Sequence, residues 1–370
     1  MSWRDPKHPQ AGGAEQVMHE HMKGWIEAGH EVTLFSSKIH GQPKREELDG
    51  IKIVRSGHQY LGVQISGFIY WIKNCKKYSL VVDQFHGIPF FTPLYVSKPK
   101  LAVLQEVARE VWFTNPMPWP FNWIIGVIGY LSEFFIFQLY RATPFMVGSS
   151  SAKKDLERMG IPAKKIIIIP HGVIIRRPKL MPKKETQPTV IFLGALTKDK
   201  GVEDAIKCFA ILARDSNYCF WIVGRAEDRL YLLRLRRIVG KLNLKNRVKF
   251  WGFVGQERKF ELLARAHVMV NPSMREGWGL VNIEANAMGT PVVGYHSSGL
   301  VDSIRNGETG VVIKKNLPEE LAVAVSTLLD NTERLDELRR GAISWSRGFS
   351  WIKSKEISIN YLKKVQNGQV

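Results

Sequence analysis

The residues best suited to chemistry lie close together late in the chain. The run Asn271-Pro272-Ser273-Met274-Arg275-Glu276-Gly277-Trp278-Gly279-Leu280-Val281-Asn282-Ile283-Glu284-Ala285 leaves a short strand pattern and enters a helical one. Gly277 and Gly279 let the backbone turn tightly and let a ligand come close to it. The helix start beyond them offers unpaired N–H groups and the positive end of a dipole, which suits a phosphate or a sugar hydroxyl. Glu276 stands before that helix and Glu284 inside its first turns, so both carboxylates can face one pocket. Such a pair suits polyol recognition, one acid taking ribose hydroxyls and the other a sugar. A glycine-rich loop with two solvated acids is the blander and weaker reading.

Those side chains need a rigid frame, and the rest of the chain reads as one. In the first half, a helical pattern over 14–28 carries Val17, His21, Met22, Trp25 and Ile26 and stops at Gly29-His30. Strand-like runs follow at 31–36, 51–54, 80–85 and 101–104. The polar, proline-bearing stretch 176–188 is the best linker candidate. Beyond it strands at 189–193, 219–223, 248–251, 268–271 and 291–294 alternate with helices at 201–214, 230–242, 257–266 and 280–288. Short Val- and Ile-rich runs between helices predict parallel strands buried on both faces. The fold class is therefore α/β, with two doubly wound Rossmann-like domains. Only about ten residues precede Gly12-Gly13, where a strand normally feeds such a turn, so the first strand of the N-terminal domain is expected to be truncated or missing.

Composition narrows the partners. The 370 residues carry a formal net charge of +19, which attracts polyanions, phosphorylated substrates or an anionic membrane face. The basic pairs are scattered, and no zinc-finger or RNP pattern occurs, so nucleic acid is not expected as a partner. Three dispersed cysteines, Cys75, Cys208 and Cys219, point to buried thiols in a reducing compartment. Residues 1–10 are polar and charged, so no signal peptide is expected and the predicted setting is cytoplasmic. Residues 119–140 form the most hydrophobic segment. With Glu133 inside it and three prolines at its start, a packed helix of the first domain is favoured. A surface segment dipping into a bilayer is the second reading, and a membrane span the third.

Several of these features together resemble one family. Glu276 and Glu284 fit the Glu-x7-Glu pattern of retaining GT-B glycosyltransferases, of the group 1 and family 4 type, and 285–293 resembles its usual continuation. Residues 11–15, with Gly12 and Gly13, resemble that family's first glycine loop, and 29–32 the helix exit after it. Gly194 to Gly201 resembles the donor-phosphate loop, 222–224 a further turn, and 307–310 the closing Gly-x-x-Gly turn. The resemblance runs over essentially the whole chain. It implies two domains facing a cleft: 1–175 for the acceptor, 188–348 for a nucleotide-diphospho-sugar, and a final segment 349–370 returning to the first.

By that resemblance Lys200 should neutralise the donor pyrophosphate, Glu284 hold the ribose and Glu276 contact the transferring sugar. Gly277, Trp278, Gly279 and Leu280 should hold sugar and phosphate through backbone groups, while Gly224, Arg225 and Phe253 border the base. The implied reaction is transfer with retention to a sugar, lipid-linked or polysaccharide acceptor, with no cofactor beyond the donor and no metal. Peripheral attachment to the inner membrane face is an added expectation.

Two positions depart from the pattern. Ala195 stands where an arginine usually follows the first glycine, which leaves one expected cation missing unless Arg225 or Lys198 supplies it. Gln105 stands where relatives carry a sugar-facing histidine and, unlike histidine, does not titrate. Both departures keep open a nucleotide-sugar-binding protein with little turnover, and a GT-B epimerase is the other alternative. His86 ends a strand where ligands bind in such sheets; acceptor contact and a purely structural role are equally good readings of it. No Asp-x-Asp, Walker A loop or Gly-x-Ser-x-Gly elbow occurs.

Overall fold

The computed structural model describes residues 1–370 other than 60, 61, 86, 87, 116 and 215. The chain divides into one unit made of Met1–Gly172 with Ser350–Val370 and another made of Val173–Phe349.

In the first unit, α1 (Gly13–Glu27) is followed by β1 (Thr33–Ser36), β2 (Arg45–Leu48), β3 (Ile51–Arg55) and α2 (Gly62–Asn74). Then come β4 (Val81–Gln84), β5 (Lys100–Leu104), α3 (Phe121–Leu139), β6 (Phe145–Val147), α4 (Ser150–Arg158) and β7 (Ile166–Ile168). The strands form a sheet of order β1-β3-β2, with β2 antiparallel, and a parallel sheet of order β4-β5-β6-β7. The residues read as the tail of a shortened first strand lie between them. The Met1 amine donates to Val82 O and Gln84 N–H to Met1 O, while Ser2 N–H donates to Phe35 O and Ser37 N–H to Trp3 O. Residues 1–3 thus join the two sheets into one layer, although they hold no regular strand geometry themselves.

Alternation along the strands sorts two cores. Leu34, Leu101 and Val103 face Met18, Met22 and Trp25 of α1 on one side. Ala102 and Leu104 face Phe137 and Tyr140, and Phe35 faces Val63 of α2, on the other. The last helix of the chain, Trp351–Gln366, adds Tyr361 and Leu362 to the α1 side, and Trp25 Nε1 donates to Ser358 Oγ at 2.8 Å.

The second unit contains β8 (Thr189–Leu193), α5 (Val202–Leu212), β9 (Cys219–Val223), α6 (Arg229–Lys241), β10 (Val248–Gly252), α7 (Gln256–Arg265) and β11 (Val268–Asn271). It continues with α8 (Leu280–Ala287), β12 (Val292–Gly294), α9 (Leu300–Ser303), β13 (Gly310–Val312), α10 (Pro318–Asp330) and α11 (Thr332–Ser346); the final helix above is α12. Its six parallel strands run in the order β10-β9-β8-β11-β12-β13. The chain builds outward from β8 in one direction and from β11 in the other, which places the switch point between those two strands. Both are buried along nearly all their length, as their apolar runs require.

The 119–140 segment forms α3, but the reading of a helix packed into its domain is corrected. Only Gly126, Gly129, Glu133 and Phe137 are buried. That stripe is close-packed: a Cβ on Gly126 or Gly129 would overlap the rings of Phe113 and Trp112. Glu133 accepts from the N–H groups of Ala108 and Arg109 at 2.7 and 2.9 Å. One charged residue therefore fastens the helix to the unit while most of its apolar surface stays outside.

Candidate functional site

Three loops at the carboxyl ends of β8, β9 and β11, where open parallel sheets bind ligands, carry the candidate site. Their backbones are locked together. Gly194 N–H donates to Val223 O and Leu196 N–H to Arg225 O, so the loops after β8 and β9 run side by side. Gly224, at φ +148°, lies so close to Gly194 that an added Cβ would sit 1.7 Å from its carbonyl oxygen. The third loop is fixed to the first in the same way. Met274 N–H donates to Asp199 O, and a Cβ on Gly201, at φ +70°, would meet Pro272 O at 2.1 Å. Only glycine tolerates both positions.

This stitching delivers Lys200 to Glu276. Lys200 Nζ lies 3.1 Å from Glu276 Oε2 and 3.5 Å from Asp199 Oδ2, with the Lys200 and Glu276 side chains 21% and 18% exposed. Glu276 is held from behind as well. Its N–H donates to Ser298 O, and its Oε1 lies 3.0 Å from Ser273 Oγ. A buried polar chain continues inward: Ser273 N–H donates to Asn271 Oδ1, Asn271 Nδ2 to Asn282 Oδ1, and Asn282 Nδ2 to Ser303 Oγ. The Ser273 hydroxyl, which also lies 2.7 Å from Asn271 Oδ1, has one proton for two acceptors. Since Asn271 Oδ1 already receives the Ser273 N–H, that proton serves a charged Glu276 best.

Glu284 lies on α8, whose N-cap Gly279 adopts φ +83°. Its carboxylate is buried and pairs with Lys259 of α7 at 2.5 Å. Burial pushes its pKa above the ordinary carboxylate value, and the nearby Lys259 charge offsets only part of that rise. Lys259 was not legible as a site residue, because nothing in local spacing links α7 to α8. The Asn271–Asn282–Ser303 chain was missed for the same reason.

The other predicted donor residues separate by role. Arg225 stacks its guanidinium over the exposed Phe253 ring, 5.0 Å from the centroid, so the two predicted base-bordering side chains meet. The Arg225 carbonyl accepts from Leu196 N–H, so its backbone runs alongside Ala195. Gly277 and Leu280 flank the start of α8. The Trp278 ring is buried against Phe349, at 5.5 Å between centroids, and serves packing.

Gln105, Gly12 and Gly13 belong to the first unit. Gln105 Oε1 lies 3.0 Å from His171 Nε2. Gly12 caps α1, and its N–H is taken by the Glu15 carboxylate, itself paired with Arg4. His86 lies outside the described residues. Among the described residues no three His, Cys, Asp or Glu side chains group to hold a metal ion.

Two Rossmann-like α/β units, the second with glycine turns at its switch point, define the class: the GT-B fold. Residues 11–177 match the Glycosyltransferase Family 4 family and residues 176–345 the Glycosyl transferases group 1 family, one match following the other along the chain. It is 27% identical over 297 residues to a D-inositol 3-phosphate glycosyltransferase of Acidothermus cellulolyticus, covering 78% of this chain and 64% of that protein. It is 30% identical over 158 residues to an alpha-D-kanosaminyltransferase of Streptomyces kanamyceticus, covering 43% of this chain and 40% of that one. The matches thus span less than two thirds of either relative. Among solved structures, sucrose-phosphate synthase from Thermosynechococcus elongatus superposes with a TM-score of 0.80 at 20% identity, covering 99% of this chain and 96% of that one. Anabaena HepE, solved in complex with UDP and glucose, superposes at 0.76 and 17% identity, with 98% of each chain covered.

Proposed function

We propose that this protein transfers a sugar from a nucleotide-diphospho-sugar to an acceptor hydroxyl, with retention at the anomeric carbon. The observation that carries this reading is the Lys200–Glu276 pair, 3.1 Å apart at the switch point of the second unit. Lys200 turns from Glu276 to the donor diphosphate, and Glu276 turns to the sugar hydroxyls. As the bond from the anomeric carbon to the phosphate oxygen breaks, negative charge grows on the leaving diphosphate. Lys200, Arg225 and the N–H groups at the start of α8 offset that charge where it develops. The acceptor oxygen bonds the anomeric carbon from the same face, and its proton passes to the departing phosphate. Glu284, held in place by its pairing with Lys259, accepts from the ribose hydroxyls.

The acceptor belongs to the sugar, polysaccharide or lipid-linked class. The three cysteines are free, which suits a reducing, cytoplasmic setting. A donor-binding protein without turnover is the second reading. It is favoured by Gln105, whose amide oxygen is already engaged by His171.

A panel of UDP-, GDP- and ADP-sugars, read by thermal shift and by nucleotide release, separates the two. Transfer predicts a stabilising donor and release with acceptor; the second reading predicts stabilisation alone. Glu276→Gln should abolish transfer while leaving nucleotide affinity largely intact, and full activity in that variant refutes the assignment.

A further inference from the structure

We propose that α2 and α3 form one lipid-docking surface that seats the first unit on an anionic bilayer. Both helices lie on the same side of the joined sheet, opposite α1 and α12. Alternation along the strands requires this: Leu34, Leu101 and Val103 face α1 and α12, while Phe35 faces α2, and Ala102 and Leu104 face α3. The segment after β4 ties the two together, since Phe90 packs on Gly67 of α2 and Thr92 N–H reaches Tyr140 at the end of α3.

The outer faces of both helices are apolar without interruption. Ile65, Phe68, Ile69 and Ile72 recur at helical spacing along α2, with Ile65 62% and Ile72 58% exposed. On α3, Phe121, Ile124, Ile128, Leu131 and Phe135 do the same, with Ile128 61% and Phe135 69% exposed. Trp119 and Trp123 stand exposed at the start of α3, the position where indole rings anchor at a membrane–water boundary. An exposed apolar surface of this extent marks an interaction site.

Charge selects the occupant. The sole ionisable carboxylate of α3, Glu133, is buried and turned inward, and α2 contains no acid. Lys73, at the end of α2, and Lys76 and Lys77 just after it are all exposed, and Arg141 follows α3. An apolar stripe edged by lysines complements acyl chains beneath anionic headgroups. The geometry also favours lying in the interface over crossing it. The Gly126–Gly129–Glu133 stripe holds α3 against Trp112, Phe113 and the Ala108 and Arg109 backbone, leaving one long face of about 28 Å free.

The test is co-sedimentation of the whole chain, without nucleotide-sugar, with phosphatidylcholine vesicles that contain or lack phosphatidylglycerol. Failure here leaves the donor-site reading untouched, and the reverse also holds. Wild type should pellet with the anionic vesicles. Ile128→Gln/Leu131→Gln/Phe135→Gln should partition at least tenfold less, with unchanged circular dichroism and donor-induced thermal shift. Ile128→Glu alone, at an open position that tolerates the change, should reproduce the loss in part. Lys73→Gln/Lys76→Gln/Lys77→Gln should lose the preference for the anionic lipid. The proposal is overturned if wild type stays in the supernatant, or if the triple apolar variant pellets as well as wild type. It is also overturned if wild type dimerises through this face, the triple variant is monomeric, and neither binds vesicles.

Discussion

Replacing Lys259 with methionine tests how the second unit accommodates the buried acid Glu284. The Lys259 and Glu284 side chains are 14% and 9% exposed, and they are bonded to each other. Removing one partner of a buried pair leaves the other charge uncompensated, which costs about 3–5 kcal/mol. At about 2–4 °C per kcal/mol for a domain of this size, Lys259→Met should lower the melting temperature at pH 8 by roughly 6–20 °C. The sign of the pH dependence follows from burial. Glu284 is already raised above its ordinary value of 4.5 in the native protein, so the folded state holds its proton more tightly than the unfolded chain. This group's contribution is therefore most favourable below about 4.5 and declines as pH rises through the native pKa. Without Lys259 that window extends upward, and protonation relieves the unpaired charge by up to about 1.4 kcal/mol per pH unit. The stability gap between variant and wild type should accordingly be large at pH 8 and much smaller at pH 5.5, as read by calorimetry. Lys259→Arg should preserve most of the stability at both values. Donor affinity of Lys259→Met should fall as pH is lowered, since a protonated Glu284 accepts fewer ribose hydroxyl bonds. A melting temperature within 2 °C of wild type at pH 8, or an equal loss at both pH values, refutes the reasoning (about 1 kcal/mol or less by the same conversion).

Two further outcomes follow from buried polar groups. Asn282→Ala orphans Asn271 Nδ2 and empties space inside α8; at about 2–4 kcal/mol it should lower the melting temperature by roughly 5–15 °C and cut transfer more than nucleotide affinity, because Glu276 loses its backing. His21, fully buried with no partner for either ring nitrogen, is held neutral by burial, with its pKa lowered from 6.5 to about 3. Its stabilising contribution is complete above about 6.5 and declines by about 1.4 kcal/mol per pH unit as pH falls toward 3. His171, lowered to about 4, adds a similar slope over a shorter span. His21→Phe should therefore flatten acid unfolding of the first unit by about half, measured as stability against pH; an unchanged slope counts against the assignment.

What the sequence conveyed, and what it did not, divides by the range of the interactions. Strands β8, β9 and β11 are short apolar runs bounded by turn residues, and periodicity alone places them with the observed ends. Glu276, Glu284 and the glycine turns were legible because their spacing is local. β2 was not, because Arg45–Leu48 is a polar edge strand with no buried face to impose alternation. Lys259, Asn271 and Ser303 act across elements that meet only in three dimensions. The exposure of α3 was misjudged for a related reason: apolar composition measures what a helix would bury and not what is available to cover it. The Trp278 ring packs on Phe349, a residue 71 positions later in the chain, so local spacing could not show where that ring lies.

The most direct measurement is a crystal structure of the protein with the nucleotide-diphospho-sugar that stabilises it most. In that complex the 3.1 Å Lys200–Glu276 pair should open, with Lys200 Nζ moving to a diphosphate oxygen, Glu276 to the sugar and Glu284 to the ribose. A donor bound elsewhere, with Lys200 still on Glu276 and no ribose at Glu284, contradicts it.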